Sequence, residues 1–426
     1  MLPSARLRSG NRYIPRMLRR ATLLLLVILG GACERVEPPP PAPLAEFIVA
    51  AGDSVFWIRS DADGIRVRGA PMALALVGGR FVELYVADDD QSFYDAVYVG
   101  QRLFKRDIIS GDSMPIVSDT LMRLLARGYA TANPDERPLA FDEEGSESPR
   151  TIASAEILVL DVMGPWVSYE YRTDVDIIGG TSSHGLRRGV VDVRTGVSST
   201  LEALFGRQQA RLVTAEGQRQ WREMRDSTLA AAPDDDVLRE SLERLNFDPR
   251  SFVLLAEGRE PRVRFTLAQS GSRFIAPAQE LFAVGVEAPA WWEGVREGYP
   301  LSVEGAELSE SRWPRPEYDV IARPVPDKSR PRIAFALRDA GGQEWPLGFV
   351  PAPVQRIMWL DDPALAAGTR EALVRAFDDA ALYSEDTRVV RQLRPPRHAA
   401  PLVQFAAFSP RPITVPRRSP PARSRH

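Results

Sequence analysis

Apolar and polar residues alternate with a period of two through much of residues 46–125, and this pattern predicts short strands. Ser54-Val-Phe-Trp-Ile-Arg59, an Asp63-Gly64 turn and Ile65-Arg-Val-Arg68 read as a hairpin, because Asp-Gly accepts the positive φ of a tight turn. Met72 to Val77, Gly78-Gly79 and Phe81 to Val86 read as a second hairpin, and Tyr94 to Phe104 continues the β character. The period then changes. Thr120 to Tyr129 predicts a short helix with Leu121, Leu124 and Leu125 on one stripe. Residues 131–150, with Pro134, Pro138 and Pro149, predict a linker or long loop.

A second unit begins at Thr151. Ile157 to Val162 and Trp166 to Tyr171 are strand-like, and Gly189 to Val193 with Thr195-Gly196 reads as strand then turn. Leu201 opens a helical stretch carrying Trp221 and Met224. Asp234 to Asp236 place negative charge where a helix dipole favours it, ahead of Leu238, Leu242 and Leu245 at helical spacing. Phe252 to Leu255, Gly258 and Val263 to Leu267 predict another hairpin. Residues 294–330 are rich in proline and charge. Further strands are expected at Ile333–Leu337, Trp345–Val350 and Ile357–Leu360, followed by a helix capped by Thr369 that carries Leu373, Phe377 and Ala381. Beyond Arg391 the composition of proline, arginine and serine predicts a disordered tail.

The expected fold is therefore α+β, mainly antiparallel sheet with a few helices. The expected divisions are a β-rich region at 46–130, a central domain at 150–292, a C-terminal α+β region at 293–392 and a basic tail at 393–426.

The N-terminus follows a different pattern. Arg16, Arg19 and Arg20 precede the apolar run Ala21 to Ala32, and Cys33 follows as the only cysteine. A dozen residues fall short of the ~20 needed to cross a bilayer as helix, and they suit the apolar core of a signal peptide. The layout resembles a bacterial lipoprotein signal, which implies that residues 1–32 are removed and that the Cys33 thiol is acylated. Gly30 stands where such signals prefer leucine. Met17 offers an alternative start with a normal basic flank, so Met1 and Met17 both remain open as the initiator. Glu34 is not the aspartate that retains enteric lipoproteins in the inner membrane. An outer-membrane anchor facing the periplasm is expected, and Pro38-Pro-Pro-Pro41-Ala-Pro43 completes a stiff tether over residues 33–45.

Charge narrows the classes of partner. The chain carries −3 overall, but six arginines in residues 1–20 and seven in 394–426 stand without any acid, so residues 21–393 carry −16. An acidic body excludes nucleic acid as the expected partner and favours encounter with a basic one. One cysteine and three histidines (His184, His398, His426) leave no basis for a disulfide or a multi-histidine metal centre, and no cofactor is expected.

Tyr169-Glu-Tyr171, then Gly179-Gly180-Thr-Ser-Ser-His184-Gly185, then Val191-Asp-Val-Arg-Thr-Gly196 and Leu201-Glu-Ala-Leu-Phe205 occur in an order similar to the RsiV/PdaC-type extracytoplasmic domain family. Asn246-Phe247 and the 252–267 hairpin match its later part, so the resemblance spans about residues 150–290. Two departures stand out: Ser182-Ser183 precede His184, and the strand expected after the hairpin is reduced to Phe274-Ile-Ala-Pro277. The resemblance implies the fold and an outward-facing binding role, with a lysozyme-like protein or peptidoglycan as the kind of ligand. It implies neither sigma-factor control nor deacetylation.

The candidate ligand-binding residues are Trp166, Tyr169, Tyr171 and His184, either as an exposed aromatic face or as buried core. His184 has three open readings: structural, partner-contacting or catalytic. No catalytic residue is assigned. Gly52-Asp53-Ser54 resembles the first block of Gly-Asp-Ser lipases, but neither tail histidine has an aspartate three residues earlier, and Gly111-Asp112-Ser113 repeats the tripeptide. Gly-x-Ser-x-Gly, His-Glu-x-x-His and phosphate-loop motifs are missing. Asp88-Asp89-Asp90 reads as a solvated turn. These readings together predict a lipid-anchored envelope protein that binds without catalysis. The alternatives are an envelope hydrolase using paired carboxylates or Ser54, and a structural lipoprotein of an envelope complex.

Overall fold

A computed structural model describes residues 42–383, apart from 52–53, 141–142, 179, 181, 268–270, 273–279, 303–309 and 326–330. The leader, Cys33, most of the tether, Phe274–Pro277 and the basic tail lie outside the described residues.

Strands β1 (Ala45–Ala51), β2 (Ser54–Asp61) and β3 (Gly64–Ala70) form an antiparallel meander. β1 reads Ala-Glu-Phe-Ile-Val-Ala-Ala, a run with no polar alternation because both of its faces are covered. Phe47 and Val49 enter one core, while Ile48 and Ala50 enter another. Phe47, Ile48 and Val49 each contribute about 1.5–3 kcal/mol by leaving water.

The chain then builds the largest sheet. β4 (Ala73–Val77), β5 (Arg80–Ser92), β6 (Ala96–Asp107) and β7 (Ser113–Ser118) run antiparallel, and helix α1 (Leu121–Ala132) packs over β6. β8 (Thr151–Met163), β9 (Trp166–Ile177), β10 (Ser183–Asp192) and β11 (Val197–Ser198) extend the same sheet in the order β11-β10-β9-β8-β6-β5-β4. The join is parallel: Ala96 to Val99 of β6 pair with Thr151 to Ser154 of β8. Hydrogen bonding is thus continuous from the 46–130 region into the 150–292 region.

Helix α2 (Leu201–Ala231) breaks at Gly206, whose φ of 79° lies in the left-handed region that only glycine occupies without strain. α3 (Asp236–Arg244) is capped as expected: the Asp235 carboxylate accepts from Leu238 N at 2.9 Å. The hairpin of β12 (Phe252–Glu257) and β13 (Glu260–Leu267) follows; β14 (Gly271–Ser272) returns to β10, and β15 (Glu280–Gly285) pairs with β13. Short helix α4 (Ala290–Glu293) places Trp292 in a core with Phe252, Phe265, Leu204, Val213 and Trp166.

β16 (Leu301–Ser302), β17 (Ser311–Pro314), β18 (Asp319–Val325), β19 (Arg332–Arg338) and β20 (Glu344–Pro351) form a five-stranded antiparallel sheet. Phe335, Leu337, Trp313 and Val320 of that sheet pack on Phe47, Val49 and Ile58. β21 (Val354–Trp359) then pairs with β1, and α5 (Thr369–Tyr383) sets Leu373 and Phe377 against the far side of the first sheet. The fold is α+β, built mainly from antiparallel sheet.

Three local expectations are corrected. α1 buries Met122 and Ala126, whereas Leu121 and Leu124 face solvent at 39% and 61% exposure. Its cap is Asp119, which accepts from the amides of Leu121 and Met122, both at 3.0 Å. The Thr369 hydroxyl donates to the Ala366 carbonyl at 2.6 Å and does not cap α5. Asp88–Asp90 lie within β5: Asp88 accepts from Gln101, and desolvation together with its two acidic neighbours raises the Asp90 carboxyl pKa.

Candidate functional site: the His184–Asp174 groove

Strand β9 carries two faces of opposite character. Trp166, Ser168, Glu170, Arg172, Asp174 and Asp176 share one face, and Val167, Tyr169, Tyr171, Thr173 and Val175 share the other. Along the first face the environment passes from core to water. Trp166 packs edge-on against Trp291 and beneath the Arg194 guanidinium, 5.1 Å from the ring centroid. Its indole nitrogen has no hydrogen-bond partner among the described residues. The Ser168 hydroxyl accepts from Leu254 N at 3.0 Å, which docks β12 onto the sheet.

Glu170 comes next and is fully buried. It accepts from Arg188 Nε at 2.6 Å and from Arg172 Nε at 2.5 Å, while Arg188 Nη1 donates to Thr266 Oγ1 at 3.0 Å. Glu170 and Arg188 are cross-strand partners, so this ion pair fixes the register of β9 and β10. Four residues further along β9, that register sets Asp174 opposite His184, and Asp174 Oδ1 meets His184 Nδ1.

The two residues line a groove of about 290 Å³ with Ile152, Ser154, Val175, Asp176 and Ser182. The Ser182 hydroxyl donates to Asp176. A volume near 300 Å³ suits a small ligand or one side chain of a larger one. With Nδ1 committed to Asp174, Nε2 is the ring nitrogen left for a ligand. The lining offers carboxylate acceptors, hydroxyls and a half-exposed isoleucine.

Its geometry differs from that of a nucleophilic triad. Ser154, Asp174 and His184 form one row across β8, β9 and β10, which puts the carboxylate between the serine and the imidazole. A relay needs the imidazole in the middle, bonded to the nucleophile. Ser54 is 6% exposed within β2, so the lipase-like serine is closed off from solvent. Among the described residues no three metal-ligating side chains converge.

The structure separates the four sequence candidates. Trp166 and Tyr169 are core residues at 7% and 3% exposure. Tyr169 lies flat over Gly189, where a Cβ would sit 2.8 Å from its hydroxyl oxygen, so the strand needs glycine there. Tyr171 is on the α1 side and donates its hydroxyl to the buried Asp119; burial and that carboxylate raise its pKa. Only His184 reaches the groove. It also lies in strand β10, not in the glycine-rich loop expected for it.

Asp174, Asp176, Ser154 and Ile152 were missed. The signal for the two aspartates was the alternation of β9 continuing past Tyr171 through Arg172, Asp174 and Asp176, which only a longer strand reading would have caught; Ile152 and Ser154 lie on β8. Compared with known proteins, the chain matches no family model and no curated relative.

Proposed function

We propose that the protein is a lipid-anchored component of the cell envelope that binds a protein or cell-wall ligand at the His184–Asp174 groove, without catalysing its conversion. The anchor rests on the sequence: basic residues, the apolar run Ala21 to Ala32, Cys33 and a proline tether. Glu34 favours the outer membrane, with the body in the periplasm. The likeness of residues 150–290 to the RsiV/PdaC-type domain supports an outward-facing binding role.

One observation carries the binding reading: a carboxylate-oriented imidazole at the wall of a groove that also holds Asp176, two hydroxyls and exposed apolar surface. Such a lining selects a ligand with an ammonium or guanidinium group beside hydroxyls, as in basic protein side chains or amine-bearing peptidoglycan stems. The test titrates full-length protein in detergent micelles with soluble peptidoglycan fragments and, separately, with lysozyme. Removing a charged hydrogen-bond partner costs about 1.5–3 kcal/mol, so Asp174→Ala is expected to weaken binding at least about 10-fold. His184→Ala should do the same, and Leu212→Ala on α2 should not. Absence of binding to both ligands, or unchanged affinity in both groove variants, overturns the proposal.

A further inference from the structure

The groove face of the large sheet carries its two signs of charge in separate rows. Ile152 stands opposite Asp176; Ser154, Asp174 and His184 form the next row; Glu156, Arg172 and Leu186 form the one after. Successive rows on one face lie about 7 Å apart, two residues along a strand. The groove rows hold the carboxylates of Asp174 and Asp176. The row on their core side holds Arg172, whose side chain is 47% exposed.

Arg172 is the positive end of this face for a reason set in the core. Glu170 accepts from both Arg188 Nε and Arg172 Nε, so a single buried carboxylate serves two guanidiniums. Arg188 is enclosed, which leaves the excess positive charge on Arg172 at the water boundary. Glu156 offsets little of it: its Oε2 is 3.9 Å from Arg172 Nη1, beyond hydrogen-bond reach, and its side chain is 52% exposed. With Nε committed to Glu170, the Nη groups are left for a ligand, and a guanidinium offers them to a carboxylate as a matched fork.

We infer that the ligand of this site is dipolar: an ω-amino carboxylate whose ammonium enters the His184–Asp174 groove and whose carboxylate reaches Arg172, as at a free diamino-acid end of a peptide. The inference rests on the groove being the binding site, and it adds the signs and the spacing of the ligand's charges. A separation of about 7 Å matches the distance between rows. A ligand with a second cation in place of the carboxylate meets Arg172 as a like charge, so the face selects against ligands whose charges are all positive.

The test uses full-length protein in nonionic detergent micelles, isotope-labelled at histidine alone. The chain has three histidines, so the ring resonance of His184, assigned with His184→Gln, reports groove occupancy against His398 and His426 as internal references. At fixed pH and about 0.01 M salt, charges act over about 30 Å. Under those conditions 6-aminohexanoate should bind about 3–5-fold more tightly than pentylamine, the same chain without its carboxylate. β-Alanine, whose charges are too close together to span two rows, should gain nothing over ethylamine. Arg172→Met should abolish the preference while pentylamine binds at least as tightly, which separates loss of the contact from loss of the fold. Equal affinity for 6-aminohexanoate and pentylamine in the parent, a preference that survives Arg172→Met, or the same gain for β-alanine overturns the inference. In each of those cases pentylamine still shifts His184 and the groove reading stands; no shift with any probe overturns both.

Discussion

Glu170→Ala is the most direct test of how the β9–β10 ladder is held. Glu170 is 0% exposed and Arg188 is 8% exposed, so truncation leaves a guanidinium in the core with Thr266 Oγ1 as its remaining close partner. Removing one member of a buried pair costs about 3–5 kcal/mol, because the desolvation of the survivor is no longer offset. Arg172 is half-exposed and bonds Glu170 from the rim; its loss should cost no more than about 1 kcal/mol. An unfolding entropy of about 2.1 cal/mol/K per residue gives about 0.7 kcal/mol/K for a unit of some 340 residues. Glu170→Ala should therefore lower Tm by about 4–7 °C, and Arg172→Ala by about 1 °C or less, measured by circular dichroism of the full-length protein. The pair is costly to break but not to replace: Glu170→Met with Arg188→Met should recover most of the loss, since an apolar pair avoids both desolvation penalties. If Glu170→Ala falls within about 1 kcal/mol of the parent, or the double variant is weaker than the single one, the register argument fails.

Other outcomes follow from the same physics. Arg323 and Arg338 hold the Glu344 carboxyl down at about 2, so its stabilising contribution is complete above the ordinary carboxyl pKa near 4.5 and is lost as pH falls from there through about 2; Glu344→Gln should flatten acid unfolding curves in that window. Burial and Glu136 push the Tyr129 hydroxyl up to about 12, so its contribution is complete below pH 10 and disappears as pH rises through 12; Tyr129→Phe should retain stability there. Gly217→Ala on α2 would set a Cβ 2.7 Å from the ring of Phe265, which is 0% exposed and has no room to yield. Overpacking of about 1–3 kcal/mol should exceed the ~1 kcal/mol gain in helix propensity, giving net loss in urea denaturation. Cys33→Ser should abolish labelling by palmitate and release the protein from membrane fractions; unchanged labelling would refute the anchor.

Most of the antiparallel strands were legible because they obey local rules. Asp63-Gly64 turns β2 into β3, Gly258 turns β12 into β13, and both hairpins stand where alternation placed them. What escaped was non-local. The parallel pairing of β6 with β8 joins residues more than fifty apart through a helix and a proline-rich segment, and no local pattern marks such a partner. Strands β17 and β18 were hidden for a different reason. Their arginines and prolines read as loop, yet Arg323 of β18 alternates with buried Ala322 and is neutralised by Glu310 and Glu344, the two acids that also hold Arg338 of neighbouring β19. Charge in a strand signals a loop only until an opposite charge faces it across the ladder.

The site shows the same division between chemistry and placement. His184 stood out because histidine is scarce here, and the tyrosines and tryptophan because aromatic residues favour interfaces. Period-two geometry then divides them: Trp166 shares the face of Asp174 but sits at its buried end, while Tyr169 and Tyr171 point the other way into the α1 side. Only knowledge of how far β9 runs distinguishes those positions, and its last six residues, Arg172 to Ile177, look like an exposed loop because half of them carry charge. The buried Glu170–Arg188 pair resolves the ambiguity, for it locks the ladder that continues into solvent as Asp174 and His184. A strand secured in the core and extended beyond it presents its polar end in one fixed register. That rigidity is what lets an otherwise ordinary histidine form the wall of the groove.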